Sequence, residues 1–517
     1  MAKQLSKSIF MKIIYTIAIL ICFFSCKNPE ESKAKLGEVK IEISGNSKAI
    51  PQFEKGLLLL HSFEYEDARE AFQKARDIDP QMAMAYWGEA MSYNHSLWSE
   101  QDYEAATAVL DKLDQFNYKA GTTLLEQDMI NAVKILYKPK TEKNKRDIAY
   151  SEYMEKLYKK YSGNHEVAAF YALSLLGSVP EGRDNELYEK GAMISQGILE
   201  KNPNHPGALH YLIHSYDDPN HATLALDAAH AYAKVAPDAG HALHMPSHIF
   251  VAMGMWDEVI ASNIDSYNAS IERMKAKKLD NDARGYHAFH WLEYGYLQKD
   301  QREKAKQMVK EMQQFVSEDP SIRARVHLVF LKGTYLVETN DWNNEIATIP
   351  VDISDLNISI RSQHHFLDGM RAYIANDRKG LDSIIKLSEK DHNRGSFIVT
   401  EGAAKLCSNA ERGDLTQTDL TQVLVRTHQL KGLLADLDMD LDLAEEHFKK
   451  AISLEESLSY SYGPPFIQKP SIELYADWLL EQDRFEEART NYKLMLKRAP
   501  NRKLSVAGLK NTKADVL

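Results

Sequence analysis

The chain predicts an all-α solenoid of helix–turn–helix hairpins, and three observations lead there. The first is a repeat. His210 and His214 lie four apart in GALHYLIH, and His244 and His248 lie four apart in HALHMPSH, each 34 residues after its counterpart. His290, in HAFHWLEYGY, takes the equivalent place in the next unit, and a 34-residue period is that of a two-helix repeat. The second is the spacing of small, aromatic and proline residues: Gly56, Ala68, Phe72, Ala75 and Pro80 in one unit, then Gly432, Ala444, Phe448 and Ala451, then Ala476, Ala488, Tyr492 and Pro500. Small residues let two helices approach, Phe and Ala pack the second helix on the next unit, and Pro ends it because it cannot continue the hydrogen-bond ladder. The third is that no stretch shows sustained period-two alternation, the mark of a strand.

In chain order, residues 1–25 read as a signal peptide. Lys3, Lys7 and Lys12 precede the apolar run IIYTIAILICFF, which is shorter than the roughly 18–20 residues a membrane span needs. Phe24-Ser25-Cys26 resembles a bacterial lipobox, so the resemblance implies cleavage before Cys26, lipid on its thiol, and membrane attachment through that lipid. MKIIYTIAILICFFSC is complete by itself, so Met11 is an alternative start. Lys27 after the cysteine resembles outer-membrane sorting, with the protein on the periplasmic or cell-surface face. Residues 26–48 are polar and read as a flexible tether, with one short strand candidate at Val39–Ile43; at about 3.3 Å per residue it would reach roughly 70 Å. Residues 49–115 hold the N-terminal units, 116–205 an irregular helical region, 206–310 the histidine-rich units, 311–420 divergent repeats, and 421–517 the C-terminal units and cap. Each hairpin buries its face only on its neighbours, so such an array needs its end caps.

Composition narrows the function. The 517 residues are 44% hydrophobic and 26% charged, with a net charge of −11. Loss of the leader, with three lysines and no acid, takes the chain to about −14. No basic patch with interleaved aromatics occurs, which argues against nucleic acid. Cys22 leaves with the leader and Cys407 then stands alone, so stability must come from packing rather than from a disulfide.

The strings AYWGEAMSYNHSLW, HPGALHYLIHSYDDPNHA and HALHMPSHIFVAMGMWDEVIASN resemble a group of bacterial, mostly exported, tetratricopeptide-repeat (TPR) lipoproteins without known activity. The resemblance covers most of residues 50–310. It implies a TPR superhelix and an extracytoplasmic compartment, but no chemistry. In peptide-binding TPR domains the concave groove is lined by the fifth, ninth and thirteenth residues of the first helix, among others, and binding of a protein or peptide partner through that face is the function expected here. The fifth place then falls to Trp87, His210, His244, His290 and His365, the ninth to His214, His248 and Tyr294, and the thirteenth to His61 and His95.

Ten of the 19 histidines lie between His205 and His290. One reading is a groove for an acidic or aromatic peptide, built from Trp87, His95, His210, His214, His244, His248, His290 and Tyr294. A second is packing between hairpins. A third is a transition-metal site for zinc, copper or nickel, with His210, His214, His244, His248 and Asp218 as ligands, since imidazole suits these ions and an i, i+4 pair leaves one helix face. Pro246 bears on the third: if a helix begins there, His244 precedes it and the simple chelate is broken. No catalytic motif is found. A zincin needs Glu directly after the first His, and Tyr211 and Met245 hold those places. A metal-dependent protein using the same histidines remains the alternative to a binding scaffold.

Overall fold

Helices follow one another through antiparallel hairpins in the computed structural model, which describes residues 34–98, 100–180, 182–400, 415–460 and 463–512. Residues 1–25, read from the sequence as a signal peptide, lie outside the described residues, as do Cys26 and Cys407. The helices are α1 (Ile50–His61), α2 (Tyr65–Ile78), α3 (Ala83–Met91), α4 (Tyr103–Asp114), α5 (Leu124–Leu136), α6 (Lys143–Lys160), α7 (His165–Gly177), α8 (Asn185–Leu199), α9 (Pro206–Ser215), α10 (Leu226–Val235), α11 (Gly240–His244) and α12 (Pro246–Met253). They continue as α13 (Trp256–Lys277), α14 (Tyr286–Gln298), α15 (Arg302–Glu318), α16 (Ile322–Thr339), α17 (Ile358–Ile374), α18 (Arg378–Thr400), α19 (Gln417–Leu437), α20 (Leu441–Glu456), α21 (Ser471–Glu481), α22 (Phe485–Arg498) and α23 (Lys503–Asn511). Among the described residues the only strands are β1 (Asn94–His95) and β2 (Glu100–Gln101), an antiparallel pair between α3 and α4. This is an all-α solenoid of TPR-type hairpins. Among the described residues no helix is long and apolar enough to cross a membrane.

The first hairpin shows why the consensus residues matter. The Phe72 ring lies between α1 and α3: a Cβ added at Gly56 would come within 2.8 Å of it, and one added at Gly88 within 2.3 Å. Glycine at both places lets one aromatic ring join three helices. Phe448 repeats the arrangement against Gly432, where an added Cβ would meet the ring at 2.6 Å.

Two regions differ from expectation. Residues 36–48, taken as part of a free tether, are packed on the array. Leu36 is buried, the Glu38 amide donates to the Asn204 carbonyl at 2.9 Å, and the Ser44 amide and hydroxyl both donate to the Glu126 carboxylate at 2.7 Å. Val39–Ile43 forms no strand. The region after residue 116, read as irregular, is a regular run of helices. In α5, Thr123 and Glu126 form a reciprocal capping box, and Asn164 caps α7. Its poor match to the repeat consensus reflects different packing residues rather than a different fold.

The far end of the chain returns to the middle. Arg502, fully buried, reaches Glu473 through Nε and Nη2, each at 2.9 Å, Glu338 at 2.5 Å and the Tyr294 hydroxyl at 3.0 Å. The Trp256 indole donates to the Asn501 carbonyl at 3.1 Å, and the Lys503 amide donates to Gln298 at 2.8 Å. The last hairpin therefore docks on α13, α14 and α16.

Candidate functional site: a buried imidazole cluster

The cluster is built on α9, a helix buried on every side. Pro206 opens it, pre-set for a first helical turn, and His205 caps it by accepting from the Ala208 amide at 3.1 Å. His210 and His214 leave the same face, with their Nε2 atoms 3.1 Å apart. His241, at the start of α11, brings a third Nε2 to within 3.2 Å of that of His210. On its other side, the His210 ring donates from Nδ1 to the His61 carbonyl at 2.7 Å. Phe63 closes the site, its ring centroid 4.2 Å from that of His210. It holds a left-handed backbone, with φ of 55°, an unfavourable conformation for a bulky side chain that is retained where the surroundings enforce it.

A second triad lies beside the first. A helix does begin at Pro246, as the sequence warned, yet the His244–His248 pair survives. Met245 keeps helical angles (φ −53°, ψ −37°), so α12 continues the path of α11 and the two Nε2 atoms stand 3.1 Å apart. His244 donates from Nδ1 to Asn263 Oδ1 at 2.7 Å; that amide is oriented by its own donation to the Val259 carbonyl at 2.8 Å. His248 donates from Nδ1 to Asp217 Oδ2 at 2.5 Å. His287 of α14 completes the group, and one potential ligand atom of each of the three residues lies within 4.8 Å of the others. Trp291 backs both rings, at 4.5 Å from His248 and 4.8 Å from His244. Ligand atoms of His214, Asp217 and His248 also lie within 4.8 Å of one another, so the triads share a wall.

A third group, His61, Glu166 and His205, looks similar but is chemically different. His61 accepts from the Tyr211 hydroxyl at 2.9 Å and donates to Glu166 at 2.8 Å. With its Nδ1 used as the cap of α9, His205 turns Nε2 to Glu166 at 3.3 Å. The Tyr211 and His61 protons have acceptors here, whereas His205 Nε2 and Glu166 Oε1 stand 3.3 Å apart without a hydrogen bond. Burial pushes the Glu166 carboxyl up, but the two histidines more than offset it and hold it well below the usual range.

The other expected residues are placed differently. Trp87 is in the core, 5.2 Å and edge-on to Phe170, rather than on a groove wall. α3 stops at Met91, so His95 falls on β1, where it stacks on Tyr65 at 4.0 Å and pairs with Glu100 at 3.3 Å. His61 is likewise core. His290 turns away from the cluster to Thr334 at 2.9 Å and stacks on Phe330. His365 lies 3.5 Å from Asp391 on a separate helix pair. Tyr294 belongs to the Arg502 network. Asp218 is taken by its turn, bonding the Asn220 amide at 2.9 Å, His221 at 2.7 Å and Arg183 at 3.1 Å; Asp217 is the acid that meets the histidines. His241 and His287 were missed because neither falls on a repeat place. The signal for each was present, one turn before His244 and His290 respectively.

Burial lowers the pKa of several of these histidines. His244 is pulled down to about 3, and His210, His214 and His241 fall well below their usual value, with neighbouring imidazoles adding to the effect. Outside the cluster, burial takes His290 to about 3 and His327 to about 4. The unfolded chain takes up protons at these sites below about pH 6.5, whereas the folded chain does not. Their neutral forms therefore favour folding fully above that pH, and the benefit shrinks as pH falls toward 4, by at most about 1.4 kcal/mol per pH unit for each group. Urea midpoints at about pH 7, 5.5 and 4.5 are expected to fall in order. His290→Gln should flatten the trend; an unchanged slope in that variant refutes the assignment.

Next to the cluster a cavity of about 510 Å³ is walled by segments far apart in sequence, from Ser96 through Asp217 and Tyr294 to Gln422 and Ala499. Tyr188, Trp256 and Tyr460 supply aromatic surface, and Arg183 and Arg498 supply guanidinium groups.

No family model matches the chain, and no curated protein matches it. Solved structures that resemble it include yeast Tom70, at 13% identity over 90% of this chain and 88% of that one with a TM-score of 0.33. The Cut9–Hcn1 hetero-tetramer of the APC/C matches at 11% identity, over 93% and 79%, with a TM-score of 0.37. The human IFIT1 dimer with m7Gppp-AAAA matches at 13% identity, over 92% of each chain, with a TM-score of 0.34. The class of protein, a TPR-type hairpin solenoid with a buried histidine cluster, rests on the helices and side chains described above.

Proposed function

We propose that this chain is a lipid-anchored binding scaffold held outside the cytoplasm, and that it takes a peptide segment of a protein partner into its central cavity. The cavity carries the reading. Its walls come from hairpins distributed along the whole array, and it combines aromatic faces with Arg183 and Arg498. Such a lining suits an acidic or aromatic side chain, because guanidinium groups pair with carboxylates and aromatic faces bury flat apolar groups. Anchoring is supported by the lipobox-like Phe24-Ser25-Cys26 after an apolar run, and an outer-membrane location by Lys27. The net charge of −11 speaks against a nucleic-acid ligand.

A photo-reactive side chain at Tyr188 in the anchored protein is expected to give one discrete adduct. The adduct should be lost in Arg498→Glu and absent when the probe is at Leu124, which is 71% exposed. The same adducts from both positions, or none from Tyr188, would sink the cavity reading. Cys26→Ser is expected to abolish palmitate labelling and release the chain from the membrane fraction.

A further inference from the structure

We propose that the imidazole cluster is a pair of adjacent transition-metal centres: His210, His214 and His241 hold one ion, and His244, His248 and His287 hold the other. This stands apart from the cavity reading and can hold without it.

The tautomers carry the argument. A carbonyl oxygen only accepts, so the His210 Nδ1 that meets the His61 carbonyl at 2.7 Å bears the proton. The same holds for His244 against Asn263 Oδ1 and for His248 against the Asp217 carboxylate. In each neutral ring the proton on Nδ1 leaves Nε2 as a lone pair. His244 and His248 therefore aim two lone pairs at each other across 3.1 Å. His210 aims its own at a point shared with His214 and His241, at 3.1 and 3.2 Å.

Facing lone pairs repel unless a cation lies between them. A proton bridges two nitrogens, whereas each group here brings three histidines together, which calls for an ion of higher coordination. Ligand bonds of 2.0–2.1 Å in tetrahedral geometry put neighbouring nitrogens about 3.3 Å apart, close to the spacing observed. The partners on Nδ1 match what orients metal-bound imidazoles elsewhere: a carbonyl, an amide oxygen and a carboxylate.

Two further observations point the same way. Asp217 is buried, and its Oδ1 has no hydrogen-bond partner; it lies on the wall shared by the triads, where it balances positive charge. His287 is exposed, so the second centre opens on one side. Three protein ligands and one open position suit an ion that also takes a water or a ligand. An all-imidazole set selects zinc, copper, nickel or cobalt over magnesium and calcium. The His61–Glu166–His205 group differs in that a buried carboxylate, rather than a third imidazole, faces its two rings.

The test uses the untagged full chain in detergent, stripped with a chelator and dialysed against micromolar zinc(II) or cobalt(II). Elemental mass spectrometry is expected to find about two equivalents per chain, and cobalt(II) should show the visible bands of a four-coordinate site. The double variants His244→Ala/His248→Ala and His210→Ala/His241→Ala should each lose one equivalent. Asp217→Asn should weaken binding by about 10–100-fold while leaving the ligands in place. His230→Ala, an exposed control, should keep both ions. Circular dichroism checks that each variant is folded; where a double variant is not, the wild-type count decides alone. Less than one equivalent on the wild-type chain overturns the proposal, as does an equal loss in His230→Ala. A single equivalent, removed by only one of the double variants, overturns the other centre.

Discussion

Arg502→Ala is expected to cost about 3–5 kcal/mol of stability, the cost of breaking a buried ion pair by removing one partner. Arg502 lies between Glu473 and Glu338, and all three are buried. Burial lowers the tendency of Arg502 to hold its proton, but the two carboxylates more than offset this and keep it charged. Burial also pushes Glu473 up, yet Arg502 and Lys469 hold it well below the usual range, while Glu338 stays raised by burial. Without the guanidinium, Glu338 keeps only Gln298 as a side-chain donor and Glu473 only Lys469 and Ser505, so two buried carboxylates lose the cation they share. Arg502→Lys should recover only part of the loss, because one ammonium cannot reproduce the bidentate contact with Glu473 and still reach Glu338. Urea titration measures both variants. A loss below about 1 kcal/mol in Arg502→Ala refutes the role assigned to the network.

Trp87→Ala is expected to cost a similar amount, about 3–5 kcal/mol, with no specific effect on ligand binding. The ring is 1% exposed and packs against Phe53 and Phe170. Truncation leaves a large void where three helices meet, and the neighbours can collapse only in part. Trp87→Phe should keep most of the stability, since it retains the edge-on contact with Phe170. Chemical denaturation and cross-linking from Tyr188 separate the two roles. A stable Trp87→Ala chain that loses its adduct would put Trp87 in the binding surface, as the repeat register suggested.

These two residues mark where sequence reading succeeds and where it stops. Hairpins were legible because Gly56, Phe72 and Ala75 carry their reason in their size, and size is printed in the sequence. The four-residue spacing of His210 and His214 was legible for the same reason, since one helix fixes it. What the repeat register could not give is the third dimension. It assumes that every unit keeps phase, but α3 ends at Met91 and a short β pair follows, so His95 leaves the series. It also assumes an open inner face, whereas here α9 is covered on every side. The partners of the histidines come from 19 to 149 residues away: Asn263 for His244, Asp217 for His248, and the His61 carbonyl for His210. Such contacts depend on how the array curves, and curvature is a sum of small packing differences that no local pattern displays. The choice of Asp217 over Asp218 turned on a single residue of helix ending.

The docking of the last hairpin on the middle of the array changes how the molecule comes apart. An open repeat array gains stability from each neighbour in turn and frays from its ends. Here the terminal segment is held by Glu338, Tyr294 and Trp256, some 164 to 245 residues earlier in the chain. Releasing the end therefore breaks contacts in the centre, and the centre cannot open while the end stays docked. Over the described residues, an array assembled from repeats behaves in this respect as one cooperative unit, its last hairpin released only together with the centre.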